Sequence, residues 1–300
     1  MLASRIDSLA LDAIDEGIFP GAVVSAQRAG RLAHAAAYGT TMYDDPGSQP
    51  VALDTIYDIA SLTKTFTATA ALILMDTGQI GLDESAAHFL PGLRASGVTI
   101  RHLLTHSSGL DIRLSELRRR EAAAIRAAAY ALEPAHKPGS YTQYANIGSM
   151  LLGDVVAAAF GAPLDVAVRE LILQPLGMHD TTYCPSEQLR ARIAPTEWDD
   201  EWRGGLVHGV VHDESSYALG GVSGHAGLFS SAADMARFAQ LWLQAGVWEG
   251  RQILREATVA LARRDHTGHM ATASGLALHS GLGWALDRQS FMGVASAGSI

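Results

Sequence analysis

The chain has 300 residues, 48% hydrophobic and 18% charged, a balance that suits a folded domain and excludes a disordered one. A net charge of −9 and a pI near 5.7 argue against nucleic acid or an anionic membrane as the main partner, and the acidic residues form no tail. A single cysteine, Cys184, rules out an internal disulfide framework, and it reads as a small inert side chain.

The opening "MLASRIDSLALDAIDEGIF" sets Asp7, Asp12, Asp15 and Glu16 among apolar residues, which predicts an amphipathic helix rather than a signal peptide. No segment reaches the ~20 apolar residues of a membrane-spanning helix, so the expected address is the cytoplasm, with no membrane partner. "GAVVSAQRAGRLAHAAAYGT" predicts two strands joined at Ala29-Gly30, followed by a turn-rich loop from Asp44 to Pro50.

Within "DIASLTKTF" a long helix begins near Ser61, and Thr77-Gly78 is its expected end. "GVTIRHLLTHSSGL" closes in a Ser-Ser-Gly turn. A helix is predicted from Ser115 to Leu132, with Arg118, Arg119, Arg120 and Arg126 on a solvated face beside Glu116 and Glu121. "PGSYTQYAN" reads as a loop, and "IGSMLLGDVVAAAFG" and "PLDVAVRELILQPLG" as helices.

From Arg203 to Gly227 the chain carries seven glycines. Glycine-rich loops commonly frame sites on rigid scaffolds, and this one is expected to be a mobile wall of a substrate cleft, with His225 and Gly227 lining it. Trp198 and Trp202, just before it, suit either an apolar pocket or ordinary packing. "SAADMARFAQLWLQAG" predicts a helix and "SGLGWALD" a strand. The order suggests an α+β protein with two lobes. Residues 1–57 and 215–300 would form an α/β sandwich lobe around one discontinuous sheet, and 58–214 a mainly helical lobe, with the site at their junction.

The chemistry starts at Ser61 and Lys64. Residues three apart on a helix share a face, and the first turn favours developing negative charge. A serine hydroxyl needs a base to become a nucleophile. A lysine serves only where desolvation or a neighbouring charge lowers its pKa. The ten residues from Phe66 to Met75 carry no charge and offer such a setting. Tyr144, about eighty residues on, could act as base toward the serine or as acid toward a leaving group. Asn146 offers a donor and an acceptor to a substrate carbonyl or to the lysine. His208, His212 and His225 with Asp213 could suggest a metal, but His208 and His212 would share a face only on a helix, which "GGLVHGVVHD" does not resemble. No metal and no other cofactor is expected.

Taken together, "IYDIASLTKTFTATAALILMDTGQIGLDE", "TIRHLLTHSSGL", "PGSYTQYANIGSMLLGDVV", "LILQPLGMHDTTY" and "GHAGLFSSAADMARFA" resemble the serine hydrolases related to class C β-lactamases, penicillin-binding proteins and the esterases of that fold. The resemblance implies a β-lactamase/transpeptidase-like fold, an antiparallel sheet flanked by helices plus a helical domain. It implies Ser61 as the acylated nucleophile, Lys64 and Tyr144 sharing base and acid duties, and Asn146 lining the pocket. The family's third motif, Lys-Thr-Gly or His-Thr-Gly on a strand beside the serine, has one candidate here, His266-Thr267-Gly268, in a segment that reads as a polar loop. The chain stops at Ile300 where that strand should follow, so the last strands and closing helix are expected to be missing, leaving an open sheet edge for self-association.

The expected function is a serine hydrolase acting through an acyl-enzyme, a carboxylesterase on small esters, with an ester or amide as its small-molecule partner. The alternatives are β-lactamase or D-amino-acid peptidase activity, or a weakly catalytic acyl-binding scaffold.

Overall fold

The opening segment folds as helix α1 (Leu2–Asp15), then turns through Gly17 into a hairpin of β1 (Gly21–Arg28) and β2 (Arg31–Gly39). The computed structural model describes residues 2–276 and 278–287. Ala29 and Gly30 turn the hairpin at φ +50° and +76°, the left-handed pair that matches the twist of the strands.

Strand β3 (Ile56–Asp58) leads into one 3₁₀ turn, Ala60–Leu62, which continues as α2 (Thr63–Asp76). Eleven of the fourteen residues of α2 are buried, as expected of a helix apolar on every side. It is the axis on which the rest assembles. The short helices α3 (Ala86–Phe89) and α4 (Ile100–Leu104) precede α5 (Ala122–Tyr130) and the long apolar α6 (Asn146–Phe160), which packs on α2. Helices α7 (Leu164–Val168) and α8 (Gln174–Leu176) follow, joined by a π turn.

The chain then runs through β4 (Thr182–Tyr183), β5 (Glu197–Asp199), β6 (Gly205–Val207), α9 (Glu214–Ala218), β7 (Leu228–Ser231), α10 (Ala232–Leu243), β8 (Val247–Trp248), β9 (Arg251–Gln252) and α11 (Glu256–Ala262). Strand β7 lies between β3 and β4, antiparallel to both. Phe66 of α2 stacks on Phe238 of α10 with centroids 4.0 Å apart, so α10 closes the core over α2.

The glycines of α6 and the 221–227 segment permit a close approach. A Cβ on Gly224 would lie 2.1 Å from the Ser149 carbonyl oxygen and 2.9 Å from the Gly153 nitrogen. No side chain fits there, and the strand entering β7 therefore lies directly against α6.

Among the described residues the strands form separate ladders, with the β1–β2 hairpin apart from β3–β7–β4. Two sequence expectations change. The expected strand at Trp284 is a tight turn: Ser280 bridges Ala285, Gly283 sits at φ +80° and donates to Leu104 O, and the Trp284 ring packs edge-on against Trp242. The left-handed glycine and the anchored indole override the alternating pattern, and residues 280–287 form no sheet edge. Residues 288–300, where the missing strands were sought, lie outside the described residues. The arginine-rich helix is shorter than Ser115–Leu132, because Glu121 is extended and α5 starts only after it. Arg118 turns away to pair with Glu214 at 3.1 Å.

Replacing Gly224 by Ala forces the segment entering β7 and α6 apart, and it should destabilise the fold by about 1–3 kcal/mol, the usual range for overpacking. Urea unfolding measures this; an unchanged midpoint would show that the two backbones are not in contact.

Candidate active site

The approach to Ser61 is strained. Ala60 has φ +45°, an uncommon conformation for a residue with a Cβ that costs on the order of 1–3 kcal/mol. Asp58 holds it there: one carboxylate oxygen accepts from Ala60 N–H at 2.7 Å, and the other accepts from His212 N–H at 2.7 Å. Burial pushes the Asp58 carboxyl above its ordinary range, against the opposing effect of those two N–H groups. The result is a fixed turn that presents Ser61 to solvent at the N-terminal end of α2.

Lys64, one turn on, is only 7% exposed. Its Nζ donates to Ser61 Oγ at 2.8 Å and to the His225 carbonyl oxygen at 3.0 Å. An ammonium in this place is satisfied by two acceptors. Once it has given up a proton, the same 2.8 Å contact lets the amine take the hydroxyl proton of Ser61. The N-terminal end of a helix favours the negative charge that forms as the serine attacks.

Tyr144 meets this pair through its ring, whose centroid lies 5.0 Å from Lys64 Nζ, a distance suited to a cation–π contact. The ring is itself held by His106, tilted against it at 4.8 Å. Tyr144 is 57% exposed, and among the described residues no hydrogen bond engages its hydroxyl. Asn146 is the first residue of α6, and its Nδ2 donates to Asp213 Oδ2 at a long 3.5 Å. Ser61, Lys64 and Tyr144 thus lie together, whereas Asn146 meets Asp213 and is linked to them only through the His225 network.

His225 does not line an open cleft with its side chain. The ring has zero exposure, and its nitrogens meet Ser223 Oγ at 2.7 Å, Asp213 Oδ1 at 3.0 Å and Ser215 Oγ at 3.0 Å. Its contribution to the site is its backbone carbonyl. Gly227, at φ +128°, leaves no room for a Cβ, which would lie 2.4 Å from Gly221 O. It lines a cavity of about 450 Å³ with Gly209, Tyr217, Gly220 and Gly221, and neither Ser61 nor Lys64 lines that cavity.

The other candidates separate. His208 bonds the Ile193 carbonyl, and His212 meets Glu197 at 2.7 Å, so the three histidines belong to different networks. The His266-Thr267-Gly268 segment is a loop rather than a strand: Asp265 accepts from the N–H groups of Thr267 and Gly268, and the His266 ring bonds Leu261 O. Trp202 packs against Tyr217 and Arg203, whereas Trp198 stands 60% exposed on β5 beside a cleft of about 310 Å³. Burial pushes the Cys184 thiol up, away from thiolate chemistry.

Sequence reasoning weighed Asp213 only as a metal ligand beside the histidines, and it missed both its place behind Lys64 and α9 as a helix. The available signal was Asp213 three residues before Ser216: the carboxylate caps α9 by accepting from Ser216 N–H at 2.8 Å.

The family described as Beta-lactamase matches residues 6–299. A protein of Escherichia coli K12 named "Putative D-alanyl-D-alanine carboxypeptidase" is 32% identical over 79% of this chain, which spans 60% of that relative's length. "Esterase EstB" of Burkholderia gladioli is 31% identical over 91% of this chain and 77% of its own. Among solved structures, "EstCE1, a hydrolase with promiscuous acyltransferase activity" superposes with a TM-score of 0.80 at 25% identity, covering 99% of this chain and 86% of that one.

Burial raises the proton affinity of Asp213, but the hydrogen bond and charge of His225 and the donors Ser215 and Ser216 outweigh it, holding the carboxyl well below the ordinary range. A carboxylate so shifted stabilises the fold above that range and loses its contribution as the pH falls. The difference in thermal midpoint between wild type and Asp213→Asn should therefore be full at neutral pH and shrink below about pH 4. A difference constant from neutral pH to well below that value would contradict the assignment.

Proposed function

The chain belongs to the β-lactamase family, and from that membership we propose that it hydrolyses small carboxylic esters through an acyl-Ser61 intermediate. In this reading Ser61 Oγ attacks the ester carbonyl carbon while Lys64 Nζ takes the hydroxyl proton. The C–O bond to the alcohol breaks as a proton returns to the leaving oxygen, from Lys64 or from the Tyr144 hydroxyl. Water, deprotonated by the same groups, then attacks the acyl carbon, and the acid leaves as Ser61 regains its proton.

The observation that carries the reading is the 2.8 Å contact between a buried Lys64 amine and an exposed Ser61 hydroxyl. Buried lysines are retained where they are paired and used. The ester as substrate is supported by "Esterase EstB", of which this chain spans 77%, and by the superposition on EstCE1, of which it spans 86% at a TM-score of 0.80. A second reading, cleavage of a D-alanyl-D-alanine peptide, is favoured by the relatives named putative D-alanyl-D-alanine carboxypeptidase.

Steady-state assays on p-nitrophenyl butyrate, a chromogenic cephalosporin and a D-alanyl-D-alanine peptide distinguish these readings. The ester should give the highest kcat/KM. Ser61→Ala should lower it roughly 10³-fold or more, and Lys64→Ala roughly 10²–10⁴-fold. Ester turnover that survives Ser61→Ala would overturn the proposal, and preferred cleavage of the peptide would replace it with the second reading.

A further inference from the structure

The residues that hold Lys64 belong to an organised buried network. Three consecutive carbonyls entering β7 each accept from a different donor: Gly224 O from Thr67 Oγ1 at 3.0 Å, His225 O from Lys64 Nζ at 3.0 Å, and Ala226 O from Ser216 Oγ at 2.8 Å. Leu228 extends the contact, accepting from Ile59 N–H and donating to Thr63 Oγ1. This strap runs along the first turns of α2, and Lys64 and Thr67, three residues apart, face it together.

The direction of the His225 carbonyl decides where the lysine amine lies. An apolar side chain at 225 could fill the same space, but it would not fix the rotation of the strap. The imidazole does, because each ring nitrogen has a polar partner in the interior: Ser223 on one side, Asp213 and Ser215 on the other. Buried polar networks of this kind cost desolvation and in return specify one arrangement. Asp213 is their hub. Its Oδ1 receives His225, Ser215 Oγ at 2.6 Å and Ser216 N–H, while its Oδ2 receives Asn146 Nδ2.

We infer that Asp213 is a positioning residue for the hydrolytic site, orienting Lys64 through the ring and carbonyl of His225 and orienting Asn146 directly. The inference rests on Ser61 and Lys64 being the reacting pair. Asp213 itself touches neither of them. It sets the angle at which the amine meets the serine hydroxyl, and small errors in that geometry cost rate far more than they cost binding.

A p-nitrophenyl alkylphosphonate tests this. Its phosphorus bonds Ser61 Oγ as Lys64 Nζ takes the hydroxyl proton and p-nitrophenolate leaves, so the amplitude counts competent sites and the rate constant reports the reactivity of each. Asp213→Asn keeps the oxygen that caps the helix and meets His225 Nε2, but it removes the negative charge facing the ring and the acceptor facing Asn146. It should retain close to one labelled site per folded chain, label roughly 10–100-fold more slowly, and show an equal loss in ester kcat with KM within about 2-fold. Ser223→Ala, which frees the other ring nitrogen, should slow labelling about 2–10-fold, and it decides the matter if Asp213→Asn does not fold. Unchanged rate constants per site, whether or not the amplitude falls, would reduce the network to a structural role and overturn the inference. A wild-type chain that labels anywhere other than Ser61, or not at all, would overturn both this inference and the hydrolase reading beneath it.

Discussion

An amine has to be held inside a protein at the head of a helix whose residues from Phe66 to Met75 carry no charge. Lys64 is 7% exposed at the head of α2, and the ten residues after Thr65 offer it no ion partner. An unpaired ammonium there would be costly, so the surrounding structure supplies oxygen acceptors. One is the Ser61 hydroxyl and the other is the carbonyl of a residue 161 positions away in sequence. Bringing that carbonyl into place requires β7 to pair with β3, the strap to lie along α2, and α6 to give up side-chain volume at Gly153 where Gly224 approaches.

Other features of the fold follow from the same requirement. The left-handed Ala60 sets the serine at the end of the helix, and the Asp58 carboxylate offsets that strain while tying the turn to the loop at His212. Local strain held by surrounding contacts is common where a reactive group must be presented in one orientation. Tyr144, exposed and backed by His106, completes the side of the site that faces solvent. The interior side is rigid and polar, and the solvent side is open and aromatic. A substrate carbonyl could approach Ser61 from the open side without disturbing the network behind Lys64.

Much of this was legible in the sequence, for physical reasons that differ from element to element. Gly30 declared the hairpin because glycine takes a left-handed turn position without a Cβ penalty, while Ala29 is carried into the same region by the pairing of the strands. The contact between Ser61 and Lys64 was legible because residues three apart at a helix start share a face, whereas the roles expected of Tyr144 and Asn146 came from the family resemblance. His225 was placed in the right region with the wrong function, since nothing local distinguishes a ring that lines a cleft from one buried against Asp213. The turn at Trp284 was misread because its alternation mimics a strand, whereas Gly283 and the contact with Trp242 decide its path. The separation of the β1–β2 hairpin from β3–β7–β4 depends on long-range pairing, which no local pattern encodes.

The most direct test of a lysine-activated serine is to catch the acyl group on it. Acid-quenching the protein during turnover of p-nitrophenyl butyrate, followed by peptide mapping by mass spectrometry, reads the site of acylation. The account predicts a butyryl increment on the peptide containing Ser61, appearing before steady-state turnover and lost in Ser61→Ala. Turnover with the acyl group on another residue, such as Cys184, would contradict it.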